Sequence, residues 1–183
     1  MLIDRDCSCL LVVDLQEKLV PAMAESAPVL RNAAILMQAA GRLRVPVVAS
    51  EQYPQGLGPT VPELRALAPA DAFIDKTSFS CADVPGIVER LQVFNKPGGN
   101  QVVICGVEAH VCVLQSALGL KRAGFVPYVV ADATTSRTPA NRNAALKRLG
   151  ENGVEVVTTE MVIFEWLGRA GTPEFKEISR LIK

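Results

Sequence analysis

The stretch that decides the fold is QVVICGVEAHVCVLQSALG, residues Gln101–Gly119. Its first part, Gln101–Cys105, is a short apolar run rich in β-branched residues and closed by Gly106, which is typical of a strand covered on both faces. From Val111 onward the apolar residues recur at helical spacing. The stretch therefore predicts a central buried strand, a tight elbow and a helix that carries Cys112 in its first turn.

The predicted position of Cys112 is compatible with two roles. In a first helical turn the unpaired backbone N–H groups and the positive end of the helix dipole favour an anion, so we expect a lowered thiol pKa and a nucleophilic thiolate. Alternatively, Cys112 is a small core residue, because free cysteine is among the most buried residue types. A reactive cysteine needs suitable neighbours, so the choice depends on what else reaches the same place.

Length and composition limit the classes of function. The chain has 183 residues, 49% of them hydrophobic, which suits one sizeable core, and we predict a single domain over residues 1–183. Lysine plus arginine equals aspartate plus glutamate at 19 each, and no basic stripe interleaves with aromatic residues. We therefore expect a small neutral or zwitterionic substrate and no nucleic-acid partner. The first apolar run is broken by Asp14 and lacks a cationic flank, which favours a cytoplasmic protein with no membrane partner.

The cysteine and histidine content argues against a disulfide framework and a zinc site. There are five cysteines, no CxxC pair and a single histidine, His110. An odd number of cysteines without a secretion signal is typical of reduced thiols, and the ligand set of an ordinary zinc site is missing. We predict no cofactor and no metal, although an ion bound by carboxylates alone stays open.

Apolar runs alternate with helical patterns along the chain. The predicted strands are Cys9–Asp14, Val45–Ser50, Ala72–Asp75, Gln101–Cys105, Phe125–Ala131 and Val154–Thr158. The predicted helices are Pro28–Arg44, Val84–Phe94, one from Val111, one capped by Thr138 and stopped by Gly150, Thr159–Leu167 and Pro173–Ile182. This alternation predicts an α/β fold, a three-layer, doubly wound sheet of six mostly parallel strands with helices on both faces. After the second predicted strand, Ser50–Leu64 is predicted to be a long functional loop without regular structure. Pro97–Asn100 is predicted to connect the helix Val84–Phe94 to the strand Gln101–Cys105.

Three chemically useful side chains fall at the ends of predicted strands. Asp14 ends the first strand, Lys76 follows the third, and Cys112 opens the helix after the fourth, so all three reach one edge of a parallel sheet. A lysine beside a thiol stabilises the thiolate, and a carboxylate can take and return a proton. The alternatives are that Asp14 caps a turn and that Lys76 is a solvated loop charge.

These residues carry a resemblance to a known family. The motifs DLQ at Asp14–Gln16, K-x-x-F-S at Lys76–Ser80 and GVEAHVCV at Gly106–Val113 resemble those of the isochorismatase-like cysteine hydrolases, and the similarity covers essentially the whole chain. The resemblance implies a strand order 3-2-1-4-5-6, an Asp–Lys–Cys triad and a homo-oligomer. It also implies a cis peptide bond between Val107 and Glu108.

The resemblance further implies roles for the site residues. Cys112 is expected to attack the carbonyl of a small amide or related C–N compound, while Asp14 shuttles a proton and Lys76 stabilises charge; water then hydrolyses the thioester. The backbone N–H groups of Glu108 and Cys112 are expected to form the oxyanion hole. Further candidates, for the substrate pocket, are Gln16, Glu51, Gln52, Tyr53, Phe79 and Val107. Two alternatives to a pocket role stay open. In one, Glu51, Gln52 and Tyr53 belong to a loop that Tyr53 and the prolines pack together; in the other, Phe79 is a core residue.

The sequence departs from the nicotinamidase-type branch of the family. Those relatives carry an Asp-x-His and a second histidine after strand two to hold a metal, whereas Ser50–Tyr53 contains no histidine. Two other activities stay open. One is isochorismatase-type hydrolysis of an enol ether, for which the chain offers few cations to bind a dicarboxylate. The other is a non-catalytic oligomeric scaffold or redox-responsive protein with a reactive cysteine.

Several residues near the predicted edge are expected to act outside the chemistry. We predict a structural or interface role for His110, because its position two residues before Cys112 directs it elsewhere. Turn and cap roles are predicted for Asp132, Thr135 and Ser136, and Arg137 is undecided. The apolar residues predicted to supply an oligomer contact are Val162, Ile163, Phe164, Trp166 and Leu167.

Overall fold

The sheet is parallel throughout and its strand order matches the predicted one. The computed structural model describes residues 1–94 and 99–182. Within these ranges the sheet contains six strands in the order β3-β2-β1-β4-β5-β6. The strands are β1 (Ser8–Val13), β2 (Val47–Gln52), β3 (Phe73–Lys76), β4 (Gln101–Gly106), β5 (Val126–Thr134) and β6 (Glu155–Val157). The predicted α/β class and the order 3-2-1-4-5-6 are confirmed.

Helices cover both faces of this sheet. The helices are α1 (Ser26–Leu43), α2 (Pro54–Leu57), α3 (Pro62–Arg65), α4 (Pro85–Phe94), α5 (Leu114–Arg122), α6 (Pro139–Glu151), α7 (Thr159–Leu167) and α8 (Pro173–Ile178). Residues of α1, α3, α7 and α8 pack into the core on one face, and residues of α4, α5 and α6 pack into the core on the other. Of the helices in the described ranges, none is both long and apolar enough to cross a bilayer.

The central strands are buried on both sides, as their continuous apolar runs predict. In β1, Leu10 and Val12 face the core formed with α1, whereas Leu11 and Val13 face the core formed with α4 and α5. The strand therefore has no solvated face, and its carboxyl end is held rigidly between two packed layers.

The boundaries around the predicted long loop differ from expectation. β2 runs to Gln52 and β3 ends on Lys76 itself, so Glu51 and Gln52 are strand residues. The following segment contains α2 and α3, although the sequence predicted no regular structure there. Proline occupies the start of each of these short helices, where its fixed φ and missing N–H suit the first turn.

Other boundaries shift by a few residues. The helix predicted from Val111 is preceded by a π-helical turn, Ala109–Val113, and α5 begins only at Leu114. β5 extends to Thr134, and the last helix ends at Ile178. The predicted connection Pro97–Asn100 begins outside the described residues. The predicted N-cap of α6 is confirmed, since Thr138 Oγ1 accepts a hydrogen bond from the Asn141 amide at 3.2 Å.

The contact surface predicted near the end of the chain is mostly wrong. Val162, Ile163, Trp166 and Leu167 are buried in the protein's own core, because α7 turns its apolar face onto the sheet and α1. Phe164 is the exception: it is 47% exposed and lies 6.4 Å from the ring of Phe175.

Candidate active site

Asp14 lies directly after β1 and points its carboxylate into a buried polar cluster. The residue has a positive φ of 52°, an unusual conformation for a side chain other than glycine. Its Oδ1 accepts a hydrogen bond from Ser50 Oγ at 2.7 Å, and its Oδ2 accepts one from Lys76 Nζ at 2.7 Å. The carboxylate is fully buried. Both oxygens are thus fixed from neighbouring strands, which makes Asp14 a rigidly oriented group.

Lys76, the last residue of β3, is a buried cation and not a solvated loop charge. Its ammonium group donates to Asp14 Oδ2 and to Gln52 Oε1, the latter at 2.6 Å. Longer contacts, 3.3 and 3.4 Å, join Nζ to the carbonyl oxygens of Ser78 and Phe79. The side chains of Lys76 and Asp14 have no exposed surface, so their ion pair is formed away from water.

The elbow after β4 depends on Gly106. Its φ is +123°, and a Cβ atom there would lie 2.0 Å from the carbonyl oxygen of Val13. The chain passes this close because the Val107 amide donates to that same oxygen at 2.9 Å. The next peptide bond, between Val107 and Glu108, is cis. Within the described ranges the backbone N–H of Glu108 donates no hydrogen bond, so it is available to a ligand.

Cys112 is the fourth residue of the π-helical turn that follows the elbow, and its thiol lies close enough to Asp14 for the carboxylate to act on it. The residue is 5% exposed. Burial, followed by the charge of Asp14, raises the pKa of this thiol to about 12, although Lys76 acts in the opposite direction. The expected lowered pKa is therefore wrong: the cost of desolvating a thiolate here exceeds what the helix start and Lys76 contribute.

Asp14 is also shifted by its surroundings. Burial raises the pKa of its carboxyl group, while the charge and hydrogen bond of Lys76 oppose that rise. The arrangement places a protonated thiol against a carboxylate that can accept its proton. Such a pair can generate a nucleophile at the moment of attack without a stable thiolate beforehand.

Three buried residues behind this cluster were not among the site residues predicted from the sequence. Ser50 donates a hydrogen bond to Asp14, and it lies near the Cys81 thiol. The Cys81 amide donates to Ser116 Oγ at 2.8 Å, one helical turn after Cys112. Ser50 was recognisable in principle, because β2 pairs with β1 and Ser50 lies opposite Val13, next to Asp14.

Two of the predicted pocket residues hold the backbone in place. Gln16 is fully buried, and its side-chain amide bonds to the backbone of Gln52 and Gly58. Glu51 Oε1 accepts from the Thr60 amide and from Arg65 Nη1, both at 2.6 Å. Gln16 and Glu51 therefore support the surrounding backbone, and a place for either one in the substrate pocket stays a prediction.

The other pocket candidates occupy different environments. Val107 is buried in the core, and its place in the pocket stays a prediction. Gln52 contacts Lys76 directly. Tyr53 and Phe79 are 55% and 54% exposed, which excludes the core position for Phe79. Tyr53 lines a shallow cleft of about 220 Å³ beside Lys76.

The outer side of the elbow carries a polar cluster. Glu108 Oε2 accepts from Arg137 Nε at 3.0 Å and lies 4.0 Å from His110 Nδ1. His110 Nδ1 also lies 3.0 Å from Ser136 Oγ. No hydrogen bond joins His110 to Cys112 within residues 1–94 and 99–182. These contacts fix the loop after β5 against the elbow.

Two residues predicted to act in turns and caps do so. Asp132 Oδ1 accepts from the amide and hydroxyl of Thr159 at the start of α7. Thr135 Oγ1 donates to the carbonyl oxygen of Ala24 at 2.7 Å. Both interactions stabilise chain connections and leave the buried cluster untouched.

One sizeable cleft has no lining contribution from Asp14, Lys76 or Cys112. It measures about 590 Å³ and is lined by Ser80, Asp83, Gln115, Leu118, Lys121, Arg122 and Asn152. Its side chains form no hydrogen-bonded pair of nucleophile and base. We therefore place the candidate active site at the Asp14–Lys76–Cys112 cluster, on chemistry and not on size. Among the described residues no group of three or more His, Cys, Asp or Glu side chains is arranged around a common metal position.

Comparison with known proteins agrees with this fold. The model of the isochorismatase domain matches residues 8–161. The chain belongs to the isochorismatase family, and its fold is that of an isochorismatase-family hydrolase. It is 42% identical to isochorismatase domain-containing protein 2 of Danio rerio over 179 residues, which is 96% of this chain and 86% of the relative.

Two solved structures are also similar. A protein described as the MAR1 ribonuclease of Caenorhabditis elegans superposes with a TM-score of 0.92 at 35% identity, covering 100% of this chain and 92% of that one. YcaC from Pseudomonas aeruginosa, described with hexane-2,5-diol and covalent acrylamide, superposes with a TM-score of 0.89 at 25% identity, covering 97% and 89% of the two chains.

Proposed function

We propose that the protein is a cysteine-dependent hydrolase of a small-molecule amide or related C–N bond. One observation carries the proposal: the buried Asp14 carboxylate accepts a hydrogen bond from the Lys76 ammonium and lies close enough to Cys112 to act on its thiol. A nucleophile with a base held in place by a third group is the recurring arrangement of covalent catalysis. Family membership supports hydrolysis as the class of reaction.

The proposed reaction has two stages. Cys112 Sγ attacks the carbonyl carbon while its proton passes to Asp14, and Asp14 then protonates the leaving nitrogen as the C–N bond breaks. Water attacks the resulting thioester, Asp14 accepts the proton of that water, and the C–S bond breaks to restore the thiol. Lys76 balances the negative charge of Asp14 before the proton arrives.

An oxyanion hole is proposed at the elbow. The backbone N–H of Glu108 has no partner in the described ranges, and we propose that it acts with the N–H of Cys112 on the developing oxyanion. Removing one such donor typically costs about 2.7–4 kcal/mol of transition-state stabilisation. The conformation of the elbow is thus as important to the proposed chemistry as the thiol.

The surroundings favour a small uncharged substrate with an apolar part. Lys76 and Arg137 are both engaged with carboxylates, which leaves little positive charge for a dicarboxylate. The backbones of Tyr53 and Phe79 hydrogen-bond to Lys76, and the exposed rings of these two residues offer apolar contact. Amide hydrolysis is thereby favoured over isochorismatase-type cleavage of an enol ether.

A solved structure similar to this chain supports covalent chemistry at a thiol. YcaC from Pseudomonas aeruginosa is described with covalent acrylamide, an amide-bearing electrophile that thiols attack. We propose that Cys112 is a reactive thiol of this kind. A scaffold or redox-responsive protein with a reactive cysteine would share that reactivity but would not turn over an amide.

The name of another relative raises a different chemistry. The Caenorhabditis elegans protein is described as a ribonuclease. For the present chain we propose no nucleic-acid partner, because its 19 basic residues are matched by 19 acidic ones and its buried cluster is suited to acyl transfer. We also propose a cytoplasmic protein with no membrane partner, no cofactor and no metal.

The proposal is tested by screening small amides and ureides for release of ammonia or amine. Cys112→Ala is expected to abolish turnover while the thermal unfolding temperature changes little, because the substitution removes only one sulfur atom. Cys7→Ala, which alters a half-buried cysteine outside the site, is the matched control and keeps full activity. An active Cys112→Ala enzyme would contradict the mechanism.

A further inference from the structure

Lys76 is held by two short hydrogen bonds of different kinds. One acceptor is the carboxylate of Asp14 at 2.7 Å, and the other is the neutral amide oxygen of Gln52 at 2.6 Å. The remaining contacts of Nζ, to two backbone carbonyl groups, are 3.3 and 3.4 Å long. A neutral acceptor satisfies an ammonium proton without adding a second negative charge beside the thiol. Among the described residues, Asp14 is then the carboxylate that acts on the Cys112 thiol.

Gln52 is itself fixed at both ends. Its side-chain Nε2 donates to the carbonyl oxygen of Thr77 at 2.9 Å, and its backbone N–H donates to Gln16 Oε1 at 2.7 Å. Gln16 Nε2 donates in return to the carbonyl oxygens of Gln52 and Gly58, at 2.9 and 2.7 Å. Gln16 lies two residues after Asp14 and is fully buried. The two glutamines therefore couple the chain that follows Asp14 to the strand end that faces Lys76.

We propose that Gln52 is a positioning residue, which holds the Lys76 ammonium beside Asp14 and does not bind the substrate. This inference rests on the proposed function. Without the amide oxygen, Nζ keeps one strong acceptor and is free to move at the carboxyl edge of the sheet. The thiol and carboxylate then lose part of the positive charge that faces them.

The test measures the rate at which acrylamide alkylates Cys112, resolved by peptide mass spectrometry as a function of pH. Gln52→Met keeps the length of the side chain and removes the acceptor. We expect the rate at pH 7 to fall about tenfold, the factor typical of one hydrogen bond to a charged group. Gln55→Met, an exposed glutamine in the same segment, is the matched control and keeps the wild-type rate.

A second readout separates positioning from a merely structural role. The titratable groups that face Lys76 are Asp14, Cys81 and Cys112, and the charge of Lys76 favours the ionised form of each. The acid limb of the profile is the pH range in which the alkylation rate falls because Asp14 becomes protonated. In Gln52→Met the displaced ammonium stabilises the Asp14 carboxylate less, so this limb is expected to move to higher pH. In the Lys76→Met background, the same substitution is expected to add no further loss.

The outcomes distinguish this inference from the proposed function. If wild-type Cys112 reacts no faster than Cys7, the proposed function fails. If Cys112 reacts readily but Gln52→Met keeps both the rate and the acid limb, only the positioning role is overturned. A slower rate with an unmoved acid limb also overturns it, since a general loss of packing does not shift that limb. Should Lys76→Met fail to fold, the pH profile alone decides.

Discussion

At the scale of single residues, the decisive property of the site is the proton that Cys112 keeps at neutral pH. Burial raises the pKa of its thiol to about 12, so the nucleophile has to be formed during attack by transfer of that proton to Asp14. Sequence motifs identify the residue types, but they do not show how completely the surrounding core removes water from them. For that reason the three groups could be predicted and the protonation state of the thiol could not.

Buried thiols also make stability depend on alkaline pH. Burial raises the pKa of Cys105 from 9.0 to about 12, so the folded state keeps a proton that the unfolded state releases above pH 9. The stabilisation is fully present below pH 9 and is lost as pH rises from 9 to 12, at about 1.4 kcal/mol per pH unit for one thiol. Cys105→Ala is expected to remove that much of the slope when urea unfolding is measured between pH 9 and 11.

Cys7→Ala provides the comparison, because Cys7 is only half buried. Both variants keep all tyrosines and lysines, so titration of those groups is common to them. An identical alkaline slope in the two variants would contradict the assigned cause.

At the scale of elements, the ends of strands and helices decide where the chemistry lies. Continuous apolar runs predicted the buried strands because burial on both faces leaves a clear pattern. The ends of the strands were harder to predict from the sequence. Glu51 and Gln52 are polar and do not extend the apolar run, yet they belong to β2 because β3 pairs with them. The π-helical turn at Ala109–Val113 has no distinct pattern in sequence, so the prediction placed Cys112 in a regular helical turn.

The elbow gives a prediction about glycine. Gly106→Ala is expected to destabilise the protein by more than about 3 kcal/mol, because the new Cβ atom meets the Val13 carbonyl oxygen and φ is positive. Urea unfolding measures the loss. The control is Gly41→Ala inside α1, where a Cβ atom meets nothing within 4 Å. For this variant the free energy of unfolding is expected to increase by about 0.5–1 kcal/mol. Equal stabilities of the two variants would show that the elbow tolerates a side chain.

At the scale of the whole molecule, the strand order was predictable only through the resemblance to a family, whereas the position of Asp14, Lys76 and Cys112 at one sheet edge followed from the ends of the predicted strands. Alternating strands and helices indicate a doubly wound sheet, but they do not say which strands are neighbours. The contact surface was misjudged for a related reason. A run of apolar residues such as Val162–Leu167 has the same composition whether it faces a partner or its own core.

A homo-oligomer stays a prediction. Met161 and Phe164 remain about half exposed on α7, which is costly for large apolar side chains unless another surface covers them. Sedimentation equilibrium at micromolar concentration is expected to give a mass that is a multiple of one chain. The mass of a single chain at every concentration tested would contradict this.

The most direct test of the central claim is to capture the acyl intermediate on Cys112. Wild-type protein is exposed briefly to an activated acyl ester, quenched in acid and mapped by mass spectrometry. Cys112 is expected to be acylated before any other residue, and Asp14→Asn is expected to slow this step by about a hundredfold, the usual contribution of a general base. If Cys112 stays unmodified, or if Asp14→Asn acylates at the wild-type rate, Cys112 is not a nucleophile activated by Asp14.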